Sequence, residues 1–113
     1  MKKIECLIQP YNLDTVAEAL AVEGVVGMSV TEVKGFGVQK GFTRGEAVKS
    51  HEYRFHPKMK VEMVVLEKDI DRIVKAIQVS LKSNQIGEGK IFVTPVDDAV
   101  RTRTGERGQA AIE

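Results

Sequence analysis

Hydrophobic and polar positions change period four times along the chain, and each change marks an element. Residues 2–9, KKIECLIQ, put Ile4, Cys6 and Ile8 on one face and Lys3, Glu5 and Gln9 on the other, the period of a half-buried strand that Pro10 ends. Leu13, Val16, Ala17, Leu20 and Ala21 then follow helical spacing, with Asn12 or Asp14 as the expected N-cap and Gly24 where a left-handed C-terminal residue is wanted. A Val- and Thr-rich strand is predicted over Val25–Lys34, running into Gly35-Phe36-Gly37. Over Lys58–Leu66, Met59, Val61, Met63 and Val65 alternate with Lys58, Lys60 and Glu62, a third strand. Asp69 is placed to cap a second helix with the stripe Ile70, Ile73, Val74, Ile77 and Leu81. Gly87-Glu88-Gly89 breaks the chain before a last strand over Lys90–Val96, and the tail Asp97–Glu113 is polar and charged.

The order is β-α-β followed by β-α-β. Two right-handed crossovers into one sheet predict an α+β, ferredoxin-like βαββαβ sandwich, with residues 1–113 as a single domain. Two helices cover one sheet face only. The other face carries Leu7, Val64 and Leu66 among charges, a composition suited to partial burial against a ligand or another subunit. Between the halves lie twenty residues, Val38–Pro57, with no helix or strand period. Loops beyond about 15 residues are uncommon in compact domains and usually functional. This one mixes Lys40, Arg44, Glu46, Lys49, Glu52 and Arg54 with Phe42, Tyr53 and Phe55, as a docking surface does.

Composition narrows the classes. The 113 residues are 42% hydrophobic and 29% charged, which excludes a wholly disordered chain. Seventeen Lys and Arg against sixteen Asp and Glu give a net charge of +1, so no nucleic-acid partner is expected and any anion site must come from local clustering. A single cysteine cannot form an internal disulfide, and no apolar run approaches the roughly 20 residues of a membrane span. A cytoplasmic protein with no direct membrane insertion is expected.

No catalytic constellation emerges, and no enzyme is expected. His51 and His56 have no cysteine to complete a zinc set, and Cys6 faces the core side of its strand. Anion-handling features are better represented. Gly35-Phe36-Gly37 and Gly87-Glu88-Gly89-Lys90 let backbone N–H groups approach an anion closely, with a lysine following the second. Arg101 and Arg103 would stand about 7 Å apart on one face of an extended segment, and Lys58, Lys60 and Glu62 form an exposed row. Together they favour a bound polyphosphate.

Three blocks then resemble the PII family of nitrogen-regulatory signal proteins: TEVKGFGVQKG at Thr31–Gly41, SNQIGEGKIFV at Ser83–Val93, and VRTRTGERG with a terminal AAI over Val100–Ile112. The resemblance spans essentially the whole chain. It implies a homotrimer with nucleotide sites between subunits, where ATP and ADP compete. Gly27, Met28, Ser29, Glu62 and Val64 would hold adenine and ribose, with Leu7 nearby. The Gly35-Phe36-Gly37 turn, Val38, Gln39 and the run Gly87, Glu88, Gly89 and Lys90 would hold phosphates, joined across the interface by Arg101 and Arg103. Mg-ATP would recruit 2-oxoglutarate, with Gln39 on Mg2+, Lys58 on a carboxylate, and Lys40, Gly41 and Gly87 near the loop base. Effector state would set the conformation of loop 38–57, which would dock on a regulated enzyme or membrane transporter.

Departures from the family pattern bear on that expectation. His51 stands where the family often has a modifiable tyrosine, which rules out tyrosine modification there; Ser50 and Tyr53 are the nearby hydroxyls. Val38 replaces the usual arginine, the loss of a charged hydrogen bond worth about 1.5–3 kcal/mol. An alternative is therefore a PII-like sensor moved to another pathway, such as metal or bicarbonate transport, reading a different small molecule. Two other classes fit poorly: Pro10–Leu13 lacks an acylphosphatase's arginine–asparagine pair, and Lys3–Gln9 and Lys58–Leu66 lack an RNA binder's aromatics.

Overall fold

The computed structural model describes residues 1–36, 55–81 and 89–113. Strand β1 (Lys2–Ile8) leads through a 3-10 turn (Pro10–Asn12) into helix α1 (Leu13–Val22), and strand β2 (Ser29–Gly35) follows. Strand β3 (His56–Val65), a second 3-10 turn (Glu67–Asp69), helix α2 (Ile70–Ser80) and strand β4 (Ile91–Pro95) repeat that order, before a one-turn helix α3 (Gln109–Ile112). The four strands form one antiparallel sheet in the order β2-β3-β1-β4. This is the predicted α+β, ferredoxin-like arrangement, in which each helix crosses over a strand of the other half.

The core is the alternation made solid. Ile4, Cys6 and Ile8 of β1 and Val61, Met63 and Val65 of β3 are buried against Val16 and Leu20 of α1 and Ile73 and Ile77 of α2. Ile4, Val16, Leu20, Val61 and Ile77 have no exposed surface at all. No polar or charged residue is buried among the described residues. Burial pushes the Cys6 thiol up to about 11, with the Glu5 charge adding to it. The opposite sheet face, with Lys3, Glu5, Leu7, Lys60, Glu62 and Val64, is only half-buried.

Several local expectations are corrected. The second strand starts at Ser29, not Val25, because helix α1 ends in a Schellman motif: the Gly24 N–H donates to the Ala21 carbonyl and the Val25 N–H to the Leu20 carbonyl. Gly24 takes the left-handed φ of 88° that this ending requires, and Val25 turns inward onto the core. Strand β3 extends back to His56, so residues 56 and 57 belong to the sheet rather than to the loop: His56 pairs with Gly35 and Pro57 with Lys34. Its end comes at Val65, since Leu66 already leads into the 3-10 turn. Strands β1 and β4 are each trimmed, to Lys2–Ile8 and Ile91–Pro95.

Asn12 and Asp69 do occupy N-cap positions, yet neither side chain makes the capping hydrogen bond, because a 3-10 turn feeds each helix directly. Asp69 instead pairs with Arg72 at 3.2 Å, and Arg72 donates to both the carbonyl and the carboxylate of Glu23 at 2.6 Å, tying the end of α1 to the start of α2. Ala21 is exposed rather than part of the core stripe. Arg101-Thr102-Arg103 is not extended: the Gly105 N–H donates to the Arg101 carbonyl, and the segment turns within a hairpin closed by the Val100–Arg107 bridge. No helix among the described residues is long and apolar enough to cross a membrane. Residues 37–54, most of the predicted loop, and 82–88 lie outside the described residues.

Three stability outcomes follow. Ile77→Ala empties a fully enclosed site and should cost about 2–5 kcal/mol, against about 0.5–1.5 kcal/mol for Ile77→Val, by urea unfolding. The Cys6 thiol should react with a disulfide reagent at pH 8 far more slowly in the native protein than in urea; equal rates would place it at the surface. Gly89 (φ 104°) has no room for a Cβ, which would overlap the Leu7 carbonyl oxygen, whereas Gly105 (φ 76°) faces open space. Gly89→Ala should therefore lose clearly more than the about 1 kcal/mol expected of Gly105→Ala. Equal losses would remove the Leu7 contact as the limiting one.

Candidate functional site

The residues singled out in the sequence fall at the two ends of the sheet and along the open face between them. Antiparallel pairing brings the end of β1, the start of β3, the end of β2 and the start of β4 to one end. There the Leu7 N–H donates to the Lys90 carbonyl at 3.3 Å, and Gly89 passes directly beneath Leu7. Gly35 lies against the Lys58 stem, whose Cγ would stand 3.1 Å from a Cβ at that glycine. Phe36 packs against Phe55 in a tilted arrangement, ring centroids 5.9 Å apart and planes at 49°, holding the two chain segments together beyond the last paired residues. Lys58 is half-buried, and Gly89 and Lys90 are exposed.

Midway along the open face, Ser29 pairs in register with Glu62, which in turn lies opposite Glu5. Two carboxylates directly opposite one another repel, and lysines offset this. Lys3 reaches Glu62 at 3.0 Å and Lys60 reaches it at 3.9 Å. The hydrogen bond to Glu62 and its charge hold the Lys3 ammonium above its usual range.

At the other sheet end is a cavity of about 480 Å3, lined by Gly24–Gly27, Val64–Leu66, Asp69, Arg72, Arg101 and the last three residues. A Cβ at Gly27 would meet nothing within 4 Å, so its backbone is open to an approaching group. Arg101 is held by its own chain: Nη2 donates to the main-chain oxygens of Ala110 (3.1 Å) and Glu113 (2.9 Å), and Nε stands 3.4 Å from the Glu106 carboxylate. That buried Nε has no hydrogen-bond partner among the described residues. Nearby, Arg107 pairs with Asp98 and holds its carboxyl below the usual range. Thr104 donates to Glu106 at 2.7 Å.

Sequence reasoning thus named residues that the fold brings together in two groups. Leu7, Gly35, Lys58, Gly89 and Lys90 gather at one sheet end, and Gly27, Val64 and Arg101 line the cavity at the other. Ser29 and Glu62 lie between them, Met28 packs against the core, and Arg103 is exposed in the hairpin turn. Gly37, Val38, Gln39, Lys40, Gly41, Gly87 and Glu88 lie outside the described residues. The hold of Ala110, Glu113 and Glu106 on Arg101 was missed, since a polar tail carries no periodic signal that it will fold back. Among the described residues no cluster of histidine, cysteine or carboxylate side chains could hold a metal ion.

Comparison with known proteins agrees with this fold. The family described as "Nitrogen regulatory protein P-II" matches residues 1–106. The chain is 51% identical to the nitrogen regulatory protein P-II of Azospirillum brasilense and 48% identical to that of Cereibacter sphaeroides, in each case over 99% of this chain and all of the relative. Among solved structures, Arabidopsis thaliana PII bound to citrate superposes with a TM-score of 0.80 at 33% identity, covering 99% of this chain and 89% of that one. The chain belongs to the nitrogen regulatory protein P-II family.

Proposed function

We propose that this protein is a homotrimeric sensor of ATP, ADP and 2-oxoglutarate that reports effector state to a regulated enzyme or transporter through residues 38–57. The observation that carries the reading is the track across the open sheet face. It runs from Val64 and Glu62 past Leu7 to the exposed backbone and side chain of Gly89-Lys90. From Val64 to Lys60, which lies opposite Leu7, is four strand residues, about 13 Å. An extended nucleoside triphosphate matches that span, with an apolar end at Val64 for the base and a lysine with bare glycine backbone for the phosphates. The open backbone at Gly27 and the orphan Arg101 Nε fit the same class of anionic, planar ligand.

In this reading Val64 and Gly27 receive the base, and Glu62 accepts hydrogen bonds from it or its ribose. Gly89 exposes backbone next to the phosphates, and Lys90 neutralises them. Lys58, beside Gly35, takes a carboxylate of 2-oxoglutarate, and the family resemblance assigns Lys40, Gly41 and Gly87 to the same ligand. Gln39 would hold Mg2+, whose positive charge would offset those of the triphosphate and the keto-acid. Because that keto-acid sits where β2 and β3 give way to the loop, its presence changes which loop conformation is favoured. Citrate on the Arabidopsis relative is a comparable polycarboxylate ligand. The second reading, a sensor for another pathway, draws on Val38 and His51, which depart from the family pattern where the loop begins and at its modifiable position.

Calorimetric titration tests both. Binding of 2-oxoglutarate only in the presence of Mg-ATP is the expected outcome, while nucleotide binding with no response to 2-oxoglutarate would favour the second reading. Lys90→Ala should weaken ATP about tenfold or more, as loss of a charge-assisted contact does. Lys58→Ala should abolish 2-oxoglutarate binding while leaving ATP in place. Deleting Arg44–Arg54 should abolish partner binding with nucleotide affinity kept; equal loss of both would refute the division of labour. Light scattering should give a trimer, and a monomer at micromolar concentration would exclude a site shared between subunits.

A further inference from the structure

We propose that the C-terminal segment Gln109–Glu113 is a built-in competitor for Arg101, holding its guanidinium away from ligand phosphate until nucleotide displaces it. This rests on the nucleotide reading above and concerns the regulation of that same site. Arginine offers five donors in a planar fork suited to a pair of phosphate oxygens. In this structure the fork is turned onto its own chain, with Nη2 shared between the main-chain oxygens of Ala110 and Glu113. The Glu106 carboxylate stands 3.4 Å from Nε without completing a hydrogen bond, so that N–H has no partner of its own among the described residues. The arrangement is therefore complete enough to position Arg101 but leaves a buried N–H unpaired, which a phosphate oxygen would satisfy.

The segment's course supports competition over simple anchoring. Ala111, Ile112 and Glu113 border the same cavity as Arg101, so a ligand group reaching the guanidinium through that space must share it with the segment. It reaches that wall through Gly108, whose φ of 67° and ψ of −137° are open only to glycine. The Gly108 N–H donates to the Ala99 carbonyl at 3.0 Å, which fixes the point where the chain turns back. Its attachment is light. Helix α3 is one turn long and contributes no buried residue, so the segment can leave without disturbing the core.

The test compares ATP affinity by calorimetry for the full chain and for a chain ending at Gly108, with thermal melting to establish that both are folded. Removing the segment should tighten ATP roughly threefold to tenfold, the scale of partly exposed charge-assisted contacts. Gly108→Val keeps the segment's length but cannot hold that backbone, and should shift affinity in the same direction. In the Arg101→Ala background the gain should vanish, since a competitor for a missing group has no effect. Equal ATP affinity with and without the segment would overturn the competition while leaving the nucleotide site standing. Weaker binding after removal would make the segment a wall of the site and overturn it equally. Absence of ATP binding in both chains would instead refute the nucleotide reading, and the competition with it.

Discussion

A four-stranded sheet covered on one face by two short helices is the constraint from which the rest follows. Among the described residues its two central strands alone have neighbours on both sides, so they carry the burial: Ile4, Cys6 and Ile8 from β1, Val61, Met63 and Val65 from β3. The helices are too narrow to reach the edges. Val30 on β2 and Val93 on β4 face the helices in register with Val61 and Ile4, yet remain 44% and 42% exposed. The side chains between the buried ones point the other way and must carry charge to stay soluble, but Leu7 and Val64 do not. An open face that is neither polar enough for water nor apolar enough for a core is what a ligand or a second subunit can use.

What was legible in the sequence tracks how strongly each signal depends on burial. Alternation in Met59–Val65 and the helical stripes through Leu20 and Ile77 are written by the core, so strand and helix identity could be read directly. Boundaries were less legible because hydrogen bonds, not apolar period, decide them. Val25 looks like strand, but its N–H is already committed to the Leu20 carbonyl; His56 and Pro57 look like loop, but pairing with Gly35 and Lys34 continues the ladder. Capping failed for a related reason: Asp69 has the right side chain at the right place and spends it on Arg72.

The candidate site was legible as residue types but not as geometry. Gly89 could be read as a glycine near a lysine; that it must be glycine because the Leu7 carbonyl lies beneath it is a tertiary fact. Arg101 is the sharper case. Spacing alone placed it beside Arg103 on an extended strand, whereas the hairpin closed by Val100 and Arg107 turns it inward onto Ala110, Glu106 and Glu113. A polar tail without period gives no warning that it will form specific contacts, since those depend on a partner many residues distant.

The same topology limits how one chain can use these groups. Lys90 stands at the start of β4 and Arg101 lies beyond its end, and five strand residues separate the two by about 17 Å. The hairpin then carries Arg101 to the sheet end where Val64–Leu66 and Gly24–Gly27 line the cavity, away from Gly89-Lys90. An arginine side chain reaches roughly 7 Å, so Lys90 and Arg101 of one chain cannot grip the same phosphate group. If both contact phosphate, the arginine must come from a second copy approaching across the half-buried face. The site would then be assembled by association, and a device that withholds Arg101 within its own chain would act on the neighbour's ligand rather than on its own.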